Sequence, residues 1–342
     1  MKRYFGLAAA ARDREPRVSR VASIGFFDGV HLGHAKILRD LKEWAAATAS
    51  ESAVVTFDRH PQAVLGGHPL VPLISLEHRL LLLAREGVTA TLVLPFDRDL
   101  ASWSPERFIR NVLHEALGAP RLLLGFDGAF GKDRKGTHEN LKDRRDEIGT
   151  EVRRSDESFV RGARVSSSLV REELRRGNLM RVAELLGRPF SLVGKVVDGD
   201  HRGATIGFPT ANLDIREAAV LPRGIYFADA VRLGRSLEEV AGDGQVPAIP
   251  HAAVVNVGRR PTFTGGDDTT SEAFDPERDK VEVHLLDFEG DLYDDYVEVF
   301  VYHKHRSEQR FPSVELLVEQ IESDVAARRT WDRRANSPEE TS

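Results

Sequence analysis

The chain is predicted to join an N-terminal α/β domain, a parallel sheet with helices on both faces, to a C-terminal small antiparallel β-barrel with one terminal helix. Three observations predict this. From Arg17 to about Gly187, strand-like and helix-like patterns alternate, which is the grammar of a parallel sheet. Within that stretch, Ser23–His34 reads as a strand, a glycine-bearing turn and a helix start. From Leu192 onward the alternation stops, and strand follows strand through loops of Gly, Asp, Pro and Thr. The expected domains are 1–187 and 188–330, with a polar, disordered tail over 331–342.

At 342 residues the chain suits two domains of about 100–200 residues each. A hydrophobic content of 41% with 30% charged residues is that of an ordinary soluble globular protein. Lys plus Arg number 48 and Asp plus Glu 54, a net charge of −6, so no global basic field attracts nucleic acid. The absence of cysteine excludes disulfides, thiolate zinc sites and cysteine nucleophiles. No stretch approaches the roughly 18 apolar residues of a membrane span. Lys2-Arg3 followed by Phe5–Ala11 has a faint look of a secretion signal, but the run is minimal and ends in Arg12-Asp13-Arg14-Glu15. It reads as a surface lead-in to the first strand, and the expected location is the cytoplasm.

In the first domain, Val21–Phe26 reads as a strand and His34–Ala47 as a helix. Ala53–Phe57 reads as a second, buried strand. Ser75 caps a leucine-rich helix that stops at Gly87, and Ala90–Leu94 is a third strand. Ser104-Pro105 opens a helix ending at Gly118, and Arg121–Leu124 is a fourth strand. Ligands of such sheets bind at the carboxyl ends of the strands. Three loops converge there: the His31/His34 turn, Thr56–Pro61, and Gly125–Gly131 followed by Lys132, Arg134 and Gly136. Together they read as one pocket. His31 and His34, three apart at a helix start, share a face and can donate to a phosphate held by the helix N-terminus. Downstream, Ser166–Ser168 can cap a helix from Leu169, with Arg171 one turn in.

In the second domain, Asn178 caps Leu179–Leu186, which ends at Gly187. Strands are expected at Leu192–Val197, Ile225–Leu233, Ala252–Val257, Lys280–Asp287 and Val297–His303. An amphipathic helix, Val314–Arg328, follows, with Leu316, Leu317, Ile321 and Val325 on one side. The loop Gly203–Asn212 can wrap a polyphosphate, and Thr210 and Asn212 supply oxygens suited to a hard cation such as magnesium. A plain Gly/Thr/Pro turn is the alternative. Strand alternation sets Glu282 and His284 on one face, opposite Val281, Val283 and Leu285. A glutamate on a solvated face is the alternative there. The stretches Glu238–Pro250 and Gly265–Asp279 read as surface insertions.

The string Gly25-Phe26-Phe27-Asp28-Gly29-Val30-His31-Leu32-Gly33-His34 carries the His-x-Gly-His pattern of nucleotidyltransferases. It resembles the start of the bacterial bifunctional riboflavin kinase/FAD synthetases. The Thr-Phe-x-x-His-Pro, Gly-x-Asp-x-x-Phe-Gly and Ser-Ser-Ser-x-x-Arg segments are also similar, as are Gly203–Asn212, Val283–Tyr293, Asn256–Phe263 (with Gly258, Arg260, Pro261 and Thr262) and Arg306–Phe311. The resemblance covers roughly Tyr4 to Arg329. It implies a Rossmann-like nucleotidyltransferase domain that adenylylates FMN to FAD and a barrel that phosphorylates riboflavin to FMN. His31, His34 and Arg171 would stabilise charge on the nucleotide phosphates, with Gly25, Phe26, Ser167 and Ser168 also on ATP. Phe57, His60, Pro61, Asp127 and Phe130 would take the flavin. In the barrel, Gly194, Lys195, Thr205, Gly207, Thr210 and Asn212 would bind ATP. Thr210 and Asn212 would hold magnesium, Glu282 would be the catalytic base, and Arg306 and Phe311 would line the flavin pocket. The implied partners are riboflavin, FMN and ATP, with no nucleic acid and no membrane; a homo-oligomer stays open. Three positions depart from the common pattern: Phe26 (often asparagine), Gly128 (often aromatic) and Ala204 (often arginine). They leave open a chain with one activity only, or a non-catalytic flavin-binding protein.

Overall fold

The computed structural model describes residues 1–15, 17–66, 71–199, 202–215, 221–237, 250–259 and 279–332. It divides into two compact units, Met1–Pro72 with Arg79–Ser166, and Leu73–His78 with Ser167–Ser342.

The first unit holds six strands: β1 (Lys2–Phe5), β2 (Arg20–Ile24), β3 (Glu51–Phe57), β4 (Ala90–Leu94), β5 (Arg121–Leu124) and β6 (Glu151–Arg154). They form one sheet in the order β1-β4-β3-β2-β5-β6, with every pairing parallel. The inner strands β2 and β4 are buried along their whole length, which is why they read as mostly apolar runs without alternation. The order reverses direction at β2, whose neighbours are β3 on one side and β5 on the other. That reversal opens a crevice at the carboxyl ends of β2 and β5.

The N-terminal segment corrects one expectation. Lys2–Phe5 is not a surface lead-in but an edge strand, in register from Lys2↔Ala90 to Phe5↔Val93. Its outward Phe5 is 57% exposed, and its shortness and charge are ordinary devices for a sheet edge. The helix opened by Ser104 and Pro105 widens to π pitch over Ile109–Leu117 before ending at left-handed Gly118, as expected. No described helix is long and apolar enough to cross a membrane.

The second unit is a closed six-stranded barrel. Its strands are β7 (Phe190–Val197), β8 (Ala211–Asp214), β9 (Gly224–Gly234), β10 (His251–Arg259), β11 (Asp279–Leu285) and β12 (Tyr296–Arg306), in the order β7-β8-β11-β10-β9-β12. All its ladders are antiparallel. Val255, Val257, Val281, Val283, Val297 and Val299 are fully buried, as period-two alternation requires. The short helices Ser167–Arg175 and Leu179–Leu186 pack on each other, and the latter lies on β7 and β12.

The terminal helix runs Val314–Thr330 and is capped by Ser313. Of its expected apolar face, Leu317, Ile321 and Val325 are partly buried, and only the place of Leu316 is corrected. Leu316 is 44% exposed, whereas the buried residues are Asp324 and Arg328. Arg328 donates to the Ala228 carbonyl and pairs with Asp229, so partners rather than hydrophobicity place it inside. The expected insertions at 238–249 and 265–278, the residues Arg260, Pro261, Thr262 and Phe263, and the tail from 333 lie outside the described residues.

Candidate active sites

In the first unit, β2 ends at Ile24, and the chain passes through left-handed Phe27 (φ 55°), Gly29 (φ 76°) and Val30 (φ 39°). Non-glycine residues in that region cost about 1–3 kcal/mol each and persist only where their surroundings enforce them. The passage delivers His31 to the N-cap of the helix Leu32–Ala47, where Nδ1 accepts the His34 N–H at 3.3 Å. An accepting Nδ1 is unprotonated, so neutral His31 carries its proton on Nε2, a donor nitrogen. The His31 and His34 rings stack with centroids 3.7 Å apart and planes within 13°. Gly33 lets the helix start so close, since a Cβ there would come within 3.1 Å of the His31 ring. The result is two imidazoles at the positive end of a 16-residue helix, a place for phosphate.

A cavity of about 850 Å³ opens beside the same strand ends. Six predicted residues line it together: Gly25, Phe26, Phe57, His60, Pro61 and Phe130. His60 caps Pro61–Leu65 through Nδ1, and its ring meets Phe26 edge-on at 4.5 Å. The sequence reading missed Phe96, which packs edge-on to Phe57 at 5.2 Å, and Phe108, tilted on Phe130 at 5.1 Å. It also missed Arg98 at the rim. Aromatic walls with cationic Arg98, Lys132 and Arg134 suit a flat heteroaromatic ring bearing an anionic tail. Asp127 is not part of the cavity lining and pairs with Arg164 at 2.6 Å. The hydrogen bond that Arg164 donates to Glu157, then the Asp127 charge, raise the Arg164 pKa. Gly128 donates to the Gly125 carbonyl at 2.9 Å, and a Cβ on it would come within 2.9 Å of Gly125 backbone atoms. A side chain here would have to shift this turn.

In the barrel, Glu282 stands on β11 opposite Asn212 of β8 on one side and Asn256 of β10 on the other. Asn256 Nδ2 donates to Glu282 Oε2 at 3.2 Å, and Lys280 Nζ lies 2.8 Å from Oε1. Asn256 Oδ1 is buried with no hydrogen-bond partner among the described residues. A cavity of about 590 Å³ brings Glu282 together with Gly203, Phe208, Thr210, Arg306 and Phe311. The Phe208 and Ile206 N–H groups both donate to the Gly203 carbonyl, at 2.8 and 3.2 Å, and Gly207 is left-handed at φ 89°. Gly203 has no room for a Cβ, which would come within 2.3 Å of the Phe208 carbonyl oxygen. His284 Nδ1 donates to the Pro209 carbonyl at 2.8 Å, pinning the residue before Thr210. Arg306 is clamped by buried Asp324 through Nε at 2.9 Å and Nη2 at 2.6 Å. Lys280 and Asp324 escaped the sequence reading because each looks like an ordinary strand or helix residue, and Asn256 was read only as the start of a similar segment, without its bond to Glu282.

The remaining predicted residues are placed as follows. Ser167 and Ser168 open the helix Ser167–Arg175, on which Arg171 is buried, within the second compact unit. Gly194 and Lys195 lie on β7, with Lys195 in register with Asp214 and ion-paired to Asp294 at 2.8 Å. That hydrogen bond raises the Lys195 pKa. A Cβ on Gly194 would come within 2.9 Å of the Asp214 carbonyl oxygen, so close strand approach explains this glycine. Ala204 and Thr205 are exposed on a single helical turn, Arg202–Thr205, where a loop was expected, and Gly207 is exposed on the turn that follows.

Two family models match the sequence: FAD synthetase over residues 13–169 and riboflavin kinase over residues 186–331. A bifunctional riboflavin kinase/FMN adenylyltransferase of Pseudomonas fluorescens is 36% identical over 309 residues, 90% of this chain and 92% of that protein. Proteins of the same name from Escherichia coli K12 and Bacillus subtilis 168 are each 34% identical. They cover 92% and 91% of this chain, and 94% and 92% of their own lengths. Among solved structures, a macrolide-efflux protein from Streptococcus pneumoniae overlays with a TM-score of 0.74 at 28% identity, covering 97% of this chain and 100% of its own.

Proposed function

The chain belongs to the bifunctional riboflavin kinase/FMN adenylyltransferase family, and we propose that His31, His34 and Arg171 carry its adenylyl transfer and Glu282 its phosphoryl transfer. It phosphorylates riboflavin to FMN and adenylylates FMN to FAD. The observation that carries the residue assignment is Glu282 between two asparagines, over a cavity it shares with Thr210, Arg306 and Phe311.

Adenylyl transfer needs no side-chain base. The FMN phosphate is ionised at neutral pH, and its oxygen attacks the α-phosphate of ATP as pyrophosphate leaves. Catalysis is then positioning and charge stabilisation. The capped tautomer of His31 supports a donor role for Nε2–H, and the helix N-terminus adds its dipole. Arg171, Ser167 and Ser168 take the outgoing phosphates; this assignment rests on the sequence motif. Asp127 is assigned to the flavin on the same ground, whereas Phe57, His60 and Phe130 are assigned from the aromatic cavity they share.

Phosphoryl transfer needs a base, because the ribityl 5′-hydroxyl is neutral. Glu282 takes its proton as the oxygen attacks the γ-phosphate of ATP and ADP leaves. Asn256 and Lys280 fix the two carboxylate oxygens, each of which keeps a further lone pair for the hydroxyl. Thr210 and Asn212, two residues apart and one strand from Glu282, offer neutral hard oxygens that fit magnesium. Bound there, the ion would neutralise charge on the nucleotide phosphates. Gly194, Lys195, Thr205 and Gly207 are assigned to ATP on the motif.

We place the adenylylation domain at 1–187 and the kinase domain at 188–330; the family matches end at 169 and begin at 186, and the compact units divide between Ser166 and Ser167. We assign the enzyme to the cytoplasm, with small molecules as its partners.

A direct test uses the phosphate loop. Gly203→Ala forces a Cβ against the Phe208 carbonyl oxygen and displaces the segment leading to Thr210. Riboflavin phosphorylation is expected to fall about 10- to 100-fold, the scale of an ångström misplacement. Chromatography of the products will show FAD formation from supplied FMN unchanged. A fully active kinase would remove this loop from the site.

A further inference from the structure

We infer that Arg79 is a positioning residue for adenylyl transfer: its guanidinium ties together the two loops that bear His31 and His60. The inference rests on the reading of the His31/His34 segment as the adenylylation site. In sequence Arg79 is one charge ahead of the leucines Leu80–Leu83, and nothing marks it. In the structure it lies on the helix Leu76–Arg85 and is 1% exposed, among the largest fully buried side chains of the chain.

Its contacts explain the burial. Nη1 donates to the Phe26 carbonyl at 2.9 Å, and Nη2 donates to the Phe57 carbonyl at 2.7 Å. The guanidinium carbon also lies 4.0 Å over the centroid of the Phe26 ring. Phe57 is the last residue of β3, and Phe26 lies two residues past the end of β2. These are neighbouring strands at the carboxyl edge of the sheet, where carbonyls run out of ladder partners. A planar fork satisfies two such carbonyls at once and stacks on an aromatic ring; an ammonium group on a single stem does not.

What the fork holds is the start of the strained passage. The carbonyl of Phe26 is bonded to left-handed Phe27, and Val30, also left-handed, precedes His31. Thr56 Oγ1 donates to the same Phe26 carbonyl at 3.2 Å. On the far side, the Phe26 ring rests on His60. Arg79 thus fixes Phe26 from both its carbonyl and its ring, and fixes the exit of β3 toward His60. Without it, both loops lose an anchor at their origin, and the histidine pair loosens in its register with the cavity lined by Phe26 and Phe57.

The test compares Arg79→Met, Arg79→Lys and His31→Asn in the full chain. Each is measured for kcat and KM of FAD formation from FMN and ATP, with riboflavin phosphorylation and circular dichroism as readouts of folding. Arg79→Met is expected to lower kcat for FAD formation about 100-fold, with KM for ATP and FMN changed less than kcat and phosphorylation kept. Arg79→Lys, which reaches one carbonyl, is expected to recover part of the loss. If Arg79→Met fails to fold, Arg79→Lys decides alone: a selective loss of FAD formation supports the inference. Wild-type FAD formation in either variant overturns it, as does an equal loss of both activities in Arg79→Lys. If His31→Asn leaves FAD formation intact, it is the site reading that fails. If His31→Asn is inactive while both Arg79 variants are normal, only the role of Arg79 falls.

Discussion

Glu282→Gln should abolish riboflavin phosphorylation and leave FAD formation from supplied FMN intact. The substitution keeps the size and planarity of the side chain and its place on β11 opposite Asn212 and Asn256. It removes the proton acceptor, and a positioned base contributes about 10²–10⁴-fold. The expected fall in kcat is therefore about 10³-fold, with KM for riboflavin changed little because Arg306 and Phe311 remain. Initial rates with riboflavin and MgATP, read by chromatography of the flavins, give the number. A kinase running at full rate would remove Glu282 as the base.

His31→Asn should have the opposite signature. Alanine at this position would confound two effects, since His31 both caps the helix Leu32–Ala47 and presents Nε2–H. Asparagine is among the strongest N-cap residues, so it retains the cap, worth about 1 kcal/mol, and deletes only the imidazole. Losing one donor aimed at developing charge costs about 10²–10³-fold in kcat, and that is the expected loss in FAD formation. Riboflavin phosphorylation should be unchanged. Equal loss of both activities would sink the assignment of His31.

The contrast between these variants follows from what each part of the sequence made legible. Largely apolar runs bounded by turn residues gave Ala90–Leu94 and Arg121–Leu124 to the residue, because a strand buried on both faces has few polar positions and no alternation to confuse it. Caps at Ser75, Ser104 and Asn178 were readable because a short side chain before an apolar period has one common use. The edge strand Lys2–Phe5 was not readable, since it is short, charged and half exposed. Nor was Ala211–Asp214, which pairs as a strand inside a motif that reads as a loop of Gly, Thr and Pro.

The site residues divide in the same way. His31, Thr210, Glu282 and Phe311 sit in strings whose spacing carries chemistry. Arg79, Asn256 and Asp324 act through partners distant in sequence: Arg79 on carbonyls 22 and 53 residues away, Asn256 on a carboxylate 26 residues away. Periodicity sees hydrophobic faces, so a buried arginine or aspartate held by hydrogen bonds is invisible to it. The terminal helix shows the cost: its buried residues are Asp324 and Arg328, while Leu316, expected inside, faces solvent.

The central claim is that two independent sites in one chain act in series through free FMN, and mixing the two variants tests it most directly. Glu282→Gln and His31→Asn are incubated with riboflavin and MgATP, separately and together, and the flavins are separated over time. Alone, Glu282→Gln should leave riboflavin unchanged, and His31→Asn should accumulate FMN. Together they should make FAD from riboflavin after a lag in which FMN rises. A mixture that makes no FAD, although each variant retains its own half-reaction, would contradict the account.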